Sequence, residues 1–295
     1  MTHLSIPPTG SRRLAPTPPS MSILAGARAV RTPAGDRPSL SIVLLAYQEE
    51  ARIGRSMVEL SGFLARSGLV GVEVVVVAAD RPDGTCDRTV DIVEGKRALF
   101  EHLRVICPGR QKGKGRDARA GMLAARGRRR IFMDADLATP LHHLPVALGL
   151  VEEGNAVVIG VRDLTSSHTG PRRWLSQLGN LLVRAVLLPG IKDSQCGFKL
   201  FSADAAEDIF GRQTIDGWGF DMEVLAIARL RHHAVATVEV KDWQDVAGGS
   251  FHGNALAGTL RTLLELLVIR QRTLSGRYDD PVRRPRLQPP LHHAA

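Results

Sequence analysis

Cysteine is scarce in this chain, with Cys86, Cys107 and Cys196 the only three in 295 residues. An odd number with no Cys-x-x-Cys spacing argues against a disulfide framework and against a zinc site. A reducing cytoplasm is therefore the expected compartment. Long apolar runs are missing as well. The best candidate, Leu178 to Ile191, is broken by Asn180, Arg184, Pro189 and Gly190, whereas a membrane-spanning helix needs about 20 apolar residues. The N-terminus lacks the apolar stretch and small-residue cleavage site of a secretory signal. Aromatics make up only 4%, and no RNA- or DNA-binding module signature occurs, so specific nucleic-acid binding has little support. Acidic residues fall short of basic ones, 30 against 39, for a net charge of +9. That balance favours anionic partners such as nucleotide diphosphates, lipid phosphates or an acidic membrane face. Part of the excess lies near the ends, in Arg12, Arg13, Arg28, Arg31, Arg283, Arg284 and Arg286, where it reads as solubilising charge.

What is present is an alternation of strands and helices. Residues 1–38 hold many Pro, Ser, Thr and Gly and read as a flexible leader, and residues 277–295 as a disordered tail. Residues 39–276 form the expected domain. Apolar runs at Leu40–Ala46, Val72–Ala78, Leu103–Ile106, Ala156–Val161 and Ala236–Val240 read as strands, with another ending at Asp134. Helical spacing covers Glu49–Ser67, Thr89–Phe100, Asp117–Arg126 and Leu144–Glu153. The pattern predicts an α/β fold with a mostly parallel sheet and helices on both faces. In such sheets ligands bind beyond the carboxyl ends of the strands. Ala46-Tyr47, Asp80 and Asp134 all fall at predicted strand ends and should converge on one crevice.

The most informative stretch is Ile131-Phe132-Met133-Asp134-Ala135-Asp136, which contains the chain's only Asp-x-Asp. Alternate residues of an extended chain point the same way, so both carboxylates can reach one ion. Mg²⁺ commonly takes one or two carboxylates together with substrate phosphates. In Gln111-Lys112-Gly113-Lys114-Gly115 the glycines free the backbone to approach a ligand, and a lysine can pair with a phosphate. The spacing is not that of a Walker loop. Arg162, Arg172 and Arg173 follow a predicted strand, and guanidinium forks suit phosphate. Two amphipathic candidates, at 174–189 and 256–270, read first as core packing and alternatively as membrane-docking helices.

Six segments, in this order, resemble family-two glycosyltransferases of the GT-A (Rossmann-like, nucleotide-diphospho-sugar transferase) fold. Ser41 to Glu50 resembles the opening strand and its "AYNEE" turn, with Gln48 in place of Asn. Asp83-Gly84-Thr85-Cys86-Asp87-Arg88-Thr89 resembles a "DGSxDxT" turn, after an insertion of Ala79 to Pro82. Gln111 to Gly115 resembles "NKGKG", and Asp134 to Pro140 matches "DADLATP". Asp193 to Phe201 resembles "DTQCGFKLF", and Trp218 to Glu223 resembles "WAFDVEL". The last motifs point to the dolichyl-phosphate β-glucosyltransferase and polyprenyl-phosphate branch.

The resemblance implies a nucleoside diphosphate sugar donor, UDP- or GDP-linked, bound with Mn²⁺ or Mg²⁺. It assigns the donor to Ala46, Tyr47, Glu49, Lys114, Gly115, Asp134 and Ala135, with Asp80 or Asp83 on the base. It assigns the metal to Asp134 and Asp136, with His252 as a further ligand. Arg162 and Arg173 are implied to hold an acceptor phosphate, Gln195 to face the donor sugar, and Asp221 to act as a base or orient the acceptor. The implied reaction is a metal-dependent, inverting transfer of the sugar to a polyprenyl phosphate, with peripheral contact at the inner membrane face. The hydrophobic anchor of many lipid-phosphate members is not apparent. The alternative is therefore a soluble nucleotide-sugar enzyme, either a transferase to a small hydroxyl acceptor or a mutase.

Overall fold

The computed structural model describes residues 37–162, 183, 187–243 and 255–279, without the side chains at 255–260 and 262. Arg172, Arg173 and His252, most of the 174–189 candidate, the leader up to residue 36 and the tail from residue 280 lie outside the described residues.

Strands β1 (Leu40–Leu45) and β2 (Val72–Val77) are almost wholly apolar and bury both faces, as expected of strands at the centre of a parallel sheet. They are followed by β3 (His102–Ile106), β4 (Arg129–Asp134), β5 (Val157–Arg162), β6 (Phe198–Ser202) and β7 (Val235–Val240). The sheet order is β3-β2-β1-β4-β6-β5-β7. All pairings are parallel except those of β6, which runs antiparallel to β4 and β5. Leu45 lies opposite both Val77 and Asp134, so the first, second and fourth strands end level with one another.

Alternation along the strands divides the core into two layers. Val43, Phe132 and Phe201 face α3 (Lys114–Ala124), α5 (Ala203–Arg212), α6 (Phe220–Leu230) and α7 (Ala255–Leu274). Ile42, Ile131 and Leu200 face α1 (Ile53–Ser67), α2 (Thr89–Glu94) and α4 (Leu144–Glu152). The expected helices on both faces are present. At the opposite end of the sheet from Asp134, buried Glu73 accepts from Ser41 Oγ (2.5 Å), Arg104 Nη1 (2.8 Å) and the Arg126 amide (2.8 Å). These bonds outweigh burial and hold its carboxyl below the usual range.

Four expectations need correction. Residues 49–52 form turns, and α1 starts at Ile53 rather than Glu49. The single helix expected over Thr89–Phe100 is interrupted: α2 ends at Glu94, with Gly95 as its cap, and a short 3-10 turn covers Arg97–Leu99. Tyr278, placed in the tail by composition, is fully buried and donates to Glu223 Oε1 at 2.8 Å. Finally, Leu264 and Leu267 of α7, read as core, are 56% and 61% exposed.

Glu223 is a fold-determining group. It is fully buried and accepts from Thr214 Oγ1 (2.6 Å), the Thr214 and Ile215 amides (3.0 and 2.8 Å) and Tyr278. It thereby ties the 213–219 loop and the chain beyond α7 to α6. Glu223→Ala strands these buried donors and should lower stability by about 3 kcal/mol. Tyr278→Phe removes one bond and should cost about 1 kcal/mol. Urea denaturation of the two variants against the parent chain measures both.

Candidate active site

β4 ends at Asp134 and the chain turns at once. Leu137 N–H bonds back to Asp134 O (3.1 Å), and Leu137 adopts φ 53°. The two carboxylates are therefore not neighbours on one extended face, as the sequence pattern suggested. Both nevertheless line one cavity of about 110 Å³, with Thr139, Arg162, Gln195 and Trp243 among its other walls. Ala135 extends the pairing by donating its amide to Leu45 O (3.3 Å), and its side chain is buried.

Charge around Asp134 is tightly arranged. Lys114 Nζ lies 2.5 Å from Asp134 Oδ1 and 5.1 Å from the Trp218 ring centroid. Burial would lower the Lys114 pKa, but Asp134 and Asp221 outweigh it and hold the ammonium above its usual range. A Cβ on Gly197 would come within 2.3 Å of Asp134 Oδ2, so only glycine fits beside that carboxylate. Asp136 accepts the Ala138 amide (3.1 Å). Burial, with Asp134 adding to it, raises its carboxyl above the usual range.

A divalent cation fits this donor set. Two carboxylates line one cavity and supply hard oxygen donors. Among the described residues no group of three or more His, Cys, Asp or Glu is arranged to hold a metal. Ligand oxygens from a diphosphate would have to complete the shell, as is usual for Mg²⁺.

The opposite wall is built on Asp193, which lies in the loop entering β6. Its carboxylate takes Arg162 Nε (2.7 Å) and Nη2 (3.1 Å) and the Gln195 amide (3.0 Å). Although buried, it is held below the usual carboxylate range by Arg162. Trp243 packs on the guanidinium at 5.2 Å. Arg162, expected on an acceptor phosphate, therefore lines the cavity with two of its nitrogens already engaged. Exposed Gln195 also lines the cavity, while Cys196 behind it is fully buried.

Asp221, expected as a base, is absent from the cavity wall. It is buried on α6 in an ion pair with Lys199 Nζ, which also donates to Cys196 O (2.7 Å) and sits 5.3 Å from the Phe132 centroid. Burial raises the Asp221 pKa, against the pull of Lys199 and Lys114. Lys199 escaped sequence reading because one lysine in a short apolar run looks like an interruption. Its signal is its place in β6, on the Phe132 face.

On the donor side, Ala46 is buried and its amide bonds Val77 O (2.9 Å), while half-exposed Tyr47 precedes Gln48 at φ 54°. Glu49 is buried, and its carboxylate is held by Arg52 Nε and Nη2 at 2.8 and 2.9 Å. Arg52 is thus fixed near Asp136, whose pKa its charge lowers. The sequence reading missed it, although the i, i+3 spacing to Glu49 was the available signal. Asp83 accepts Thr85 N–H (2.8 Å) and Thr85 Oγ1 (2.7 Å), so it closes its own turn. Asp80 forms an isolated backbone bridge with Arg110, and its Oδ1 accepts from Cys86 Sγ (3.1 Å). Gly113 and Gly115 pack against another loop: a Cβ on Gly113 would come 2.1 Å from Asp216 O, and one on Gly115 2.4 Å from Ile215 O.

Residues 41–210 match the family Glycosyl transferase family 2. The chain belongs to that family. It is a glycosyltransferase of the GT-A fold. Over 254 residues it is 31% identical to the dolichyl-phosphate beta-glucosyltransferase ALG5D of Trichomonas vaginalis, covering 79% of this chain and 74% of the relative. The Drosophila melanogaster dolichyl-phosphate beta-glucosyltransferase is 33% identical over 232 residues, covering 72% and 70%. Glucosyl-3-phosphoglycerate synthase of Mycobacterium tuberculosis, solved with Mn²⁺, UDP-glucose and phosphoglyceric acid, shares the fold. Its TM-score is 0.55 at 20% identity, over 83% of this chain and 81% of that one.

One residue behind the site gives a pH signature. Asp117 in the first turn of α3 is 2% exposed. Its Oδ2 accepts from Gln111 Nε2 (2.9 Å), Gln111 Oε1 takes the Gly113 amide (2.6 Å), and Oδ1 has no hydrogen-bond partner among the described residues. Burial, partly offset by Gln111, pushes its pKa from 3.8 up to about 7. Between those values the folded chain holds a proton that the unfolded chain has released, so stability falls as pH rises through this window. Asp117→Asn should remove that fall and leave the variant more stable than the parent at pH 8, by at most about 4 kcal/mol. At pH 4 the two should melt together. Thermal melts at the two pH values measure the difference.

Proposed function

We propose that the protein transfers a sugar from a nucleoside diphosphate sugar to a polyprenyl phosphate. The observation that carries the reading is the contrast between Asp221 and Arg162. The one carboxylate expected as a base is buried against Lys199, whereas the cavity wall carries a guanidinium. A hydroxyl acceptor needs a base to take its proton. A phosphate acceptor is already anionic and needs cationic positioning instead. The names of the relatives, dolichyl-phosphate beta-glucosyltransferases, support the same acceptor class.

In this reading an acceptor phosphate oxygen attacks C1 of the sugar, and the bond from C1 to the nucleoside diphosphate breaks. A single displacement inverts the anomeric centre. Asp134 and Asp136 would hold Mg²⁺ or Mn²⁺, which would neutralise the leaving diphosphate. Lys114 supports that diphosphate, and Arg162 and Arg173 orient the acceptor. Gln195 faces the sugar. Asp80 or Asp83 contacts the nucleoside base; one carboxylate oxygen of each is engaged, Asp80 Oδ1 by Cys86 Sγ and Asp83 Oδ1 by Thr85. The proposed location is the cytoplasm, at the inner membrane face. Among the described residues no helix is long and apolar enough to cross a membrane.

The deciding experiment is a product assay. The purified protein, Mn²⁺ and a panel of UDP- and GDP-sugars are incubated with and without polyprenyl phosphate, and products are identified by mass spectrometry and NMR. The expected product is a glycosylated lipid phosphate with release of nucleoside diphosphate. Donor rearrangement without lipid, or no lipid product from any donor, would favour a soluble mutase or hydroxyl transferase. For the donor site, Asp136→Ala should abolish metal-dependent binding of the nucleotide sugar in calorimetry. Unchanged affinity would remove Asp136 from the metal site.

A further inference from the structure

The first turn of α3 holds a carboxylate that the proposed chemistry does not use. Asp117 is buried, and among the described residues one side chain hydrogen-bonds it. Gln111 Nε2 donates to its Oδ2 (2.9 Å), and its Oδ1 has no partner there. Two charges face it. Arg116, on the same helix, has its guanidinium taken by the Arg110 and Pro108 carbonyls. Asp216, from the 213–219 loop, has the same sign as an ionised Asp117. The helix end offers little support, because the Gly115 and Arg116 amides go to Asp216 O (2.8 and 3.3 Å). A buried anion with one neutral donor is costly, so the protonated acid is the favoured form.

Gln111 connects this carboxylate to the site. Its amide bonds Asp80 O (2.8 Å), its Oε1 takes the Gly113 amide (2.6 Å), and its Nε2 reaches Asp117. Three segments therefore meet on one residue: the turn after β2, the residue before Lys114 and the first turn of α3. Gly113 stands at φ 141° and packs against Asp216 O with no room for a side chain, so the backbone leading into Lys114 has one fit. Lys114 in turn lies 2.5 Å from Asp134 Oδ1. Its charge sits on a flexible four-carbon stem and is placed only as well as the backbone beneath it is held.

We propose that Asp117, acting through Gln111, is a positioning residue for Lys114, and that its ionisation loosens the 111–117 segment and weakens binding of the nucleotide sugar. A charged Oδ1 draws water toward a packed turn, and the turn must open to admit it. Gln111 then ceases to fix Gly113, and Lys114 is no longer held for the donor diphosphate. Donor binding needs the closed segment, and the closed segment needs the proton, so donor and proton favour each other's binding. Donor affinity is therefore full while Asp117 is protonated and is lost as pH rises past its pKa. That pKa, about 7, places the loss across neutrality. The inference rests on the proposed donor site and is independent of the acceptor.

Calorimetry without acceptor tests it. UDP-glucose and GDP-mannose are each titrated, with Mg²⁺, into the full chain at pH 6 and pH 8. The parent should bind its donor at least about fivefold more weakly at pH 8, within the usual range of such couplings. At pH 7 it should take up protons on binding, read as heat that varies with the ionisation enthalpy of the buffer. Asp117→Asn keeps an oxygen for Gln111 and cannot ionise. It should bind at pH 8 as tightly as the parent does at pH 6, without proton uptake. Gln111→Ala removes the link and should bind weakly at both pH values. Equal donor affinity of the parent at the two pH values, the same fall in Asp117→Asn, or parent-like binding by Gln111→Ala would overturn the inference and leave the donor site standing. Weak binding by Asp117→Asn at both pH values would overturn it as well, since the residue would then serve packing alone. A parent chain that binds neither nucleotide sugar at either pH would remove the proposed donor site, and this inference with it.

Discussion

Asp134 and Lys114 form the contact on which the site is built. Asp134 stands at the end of a central strand, where the chain must turn, and Lys114 opens the helix packed across from it. Behind them Lys199 and Asp221 repeat the pairing in reverse order. The four groups alternate in sign within a largely buried space, so each limits the cost of desolvating its neighbours. Removing one partner would leave an uncompensated buried charge. The surrounding glycines follow from this arrangement. Gly197 leaves room for the Asp134 carboxylate, and Gly113 and Gly115 let the start of α3 approach the 215–217 loop closely enough to present Lys114.

The same frame divides the chemistry between two walls. On one side lie the aspartates, with Arg52 and Lys114 as permanent cations nearby. On the other lies Arg162, oriented by Asp193 and stacked on Trp243. Asp221 stands behind both, and its burial commits it to holding Lys199. A pocket arranged in this way sets fixed cations beside its two carboxylates. The net charge of +9 adds a long-range field of the same sign.

Packing also links the site to the far side of the domain. Glu223 gathers the 213–219 loop, α6 and Tyr278, and Arg272 of α7 approaches it to 3.6 Å. The loop that presents Trp218 is thereby fixed to α7, whose outer face is apolar and bordered by arginines.

The sequence by itself determined much of the parallel sheet, because β1 and β2 are continuous apolar runs that can only be buried on both faces. It also determined that Asp134 and Asp136 reach one crevice, since strand ends in such a sheet share an edge. It did not determine β6 as an antiparallel strand, because five residues with a lysine at their second position carry too little periodicity. Nor could it tell that Glu223 is structural and Asp221 is paired: they stand two residues apart in one motif, and the partners packed against α6 decide the difference. Asp83 and Asp80 remained equal in sequence and stay equal in the fold, because each has one carboxylate oxygen held by a nearby side chain. Local pattern is set by the chain's own periodicity. The fate of each charge is set by which distant side chain shares its burial, and that is decided only when the layers close.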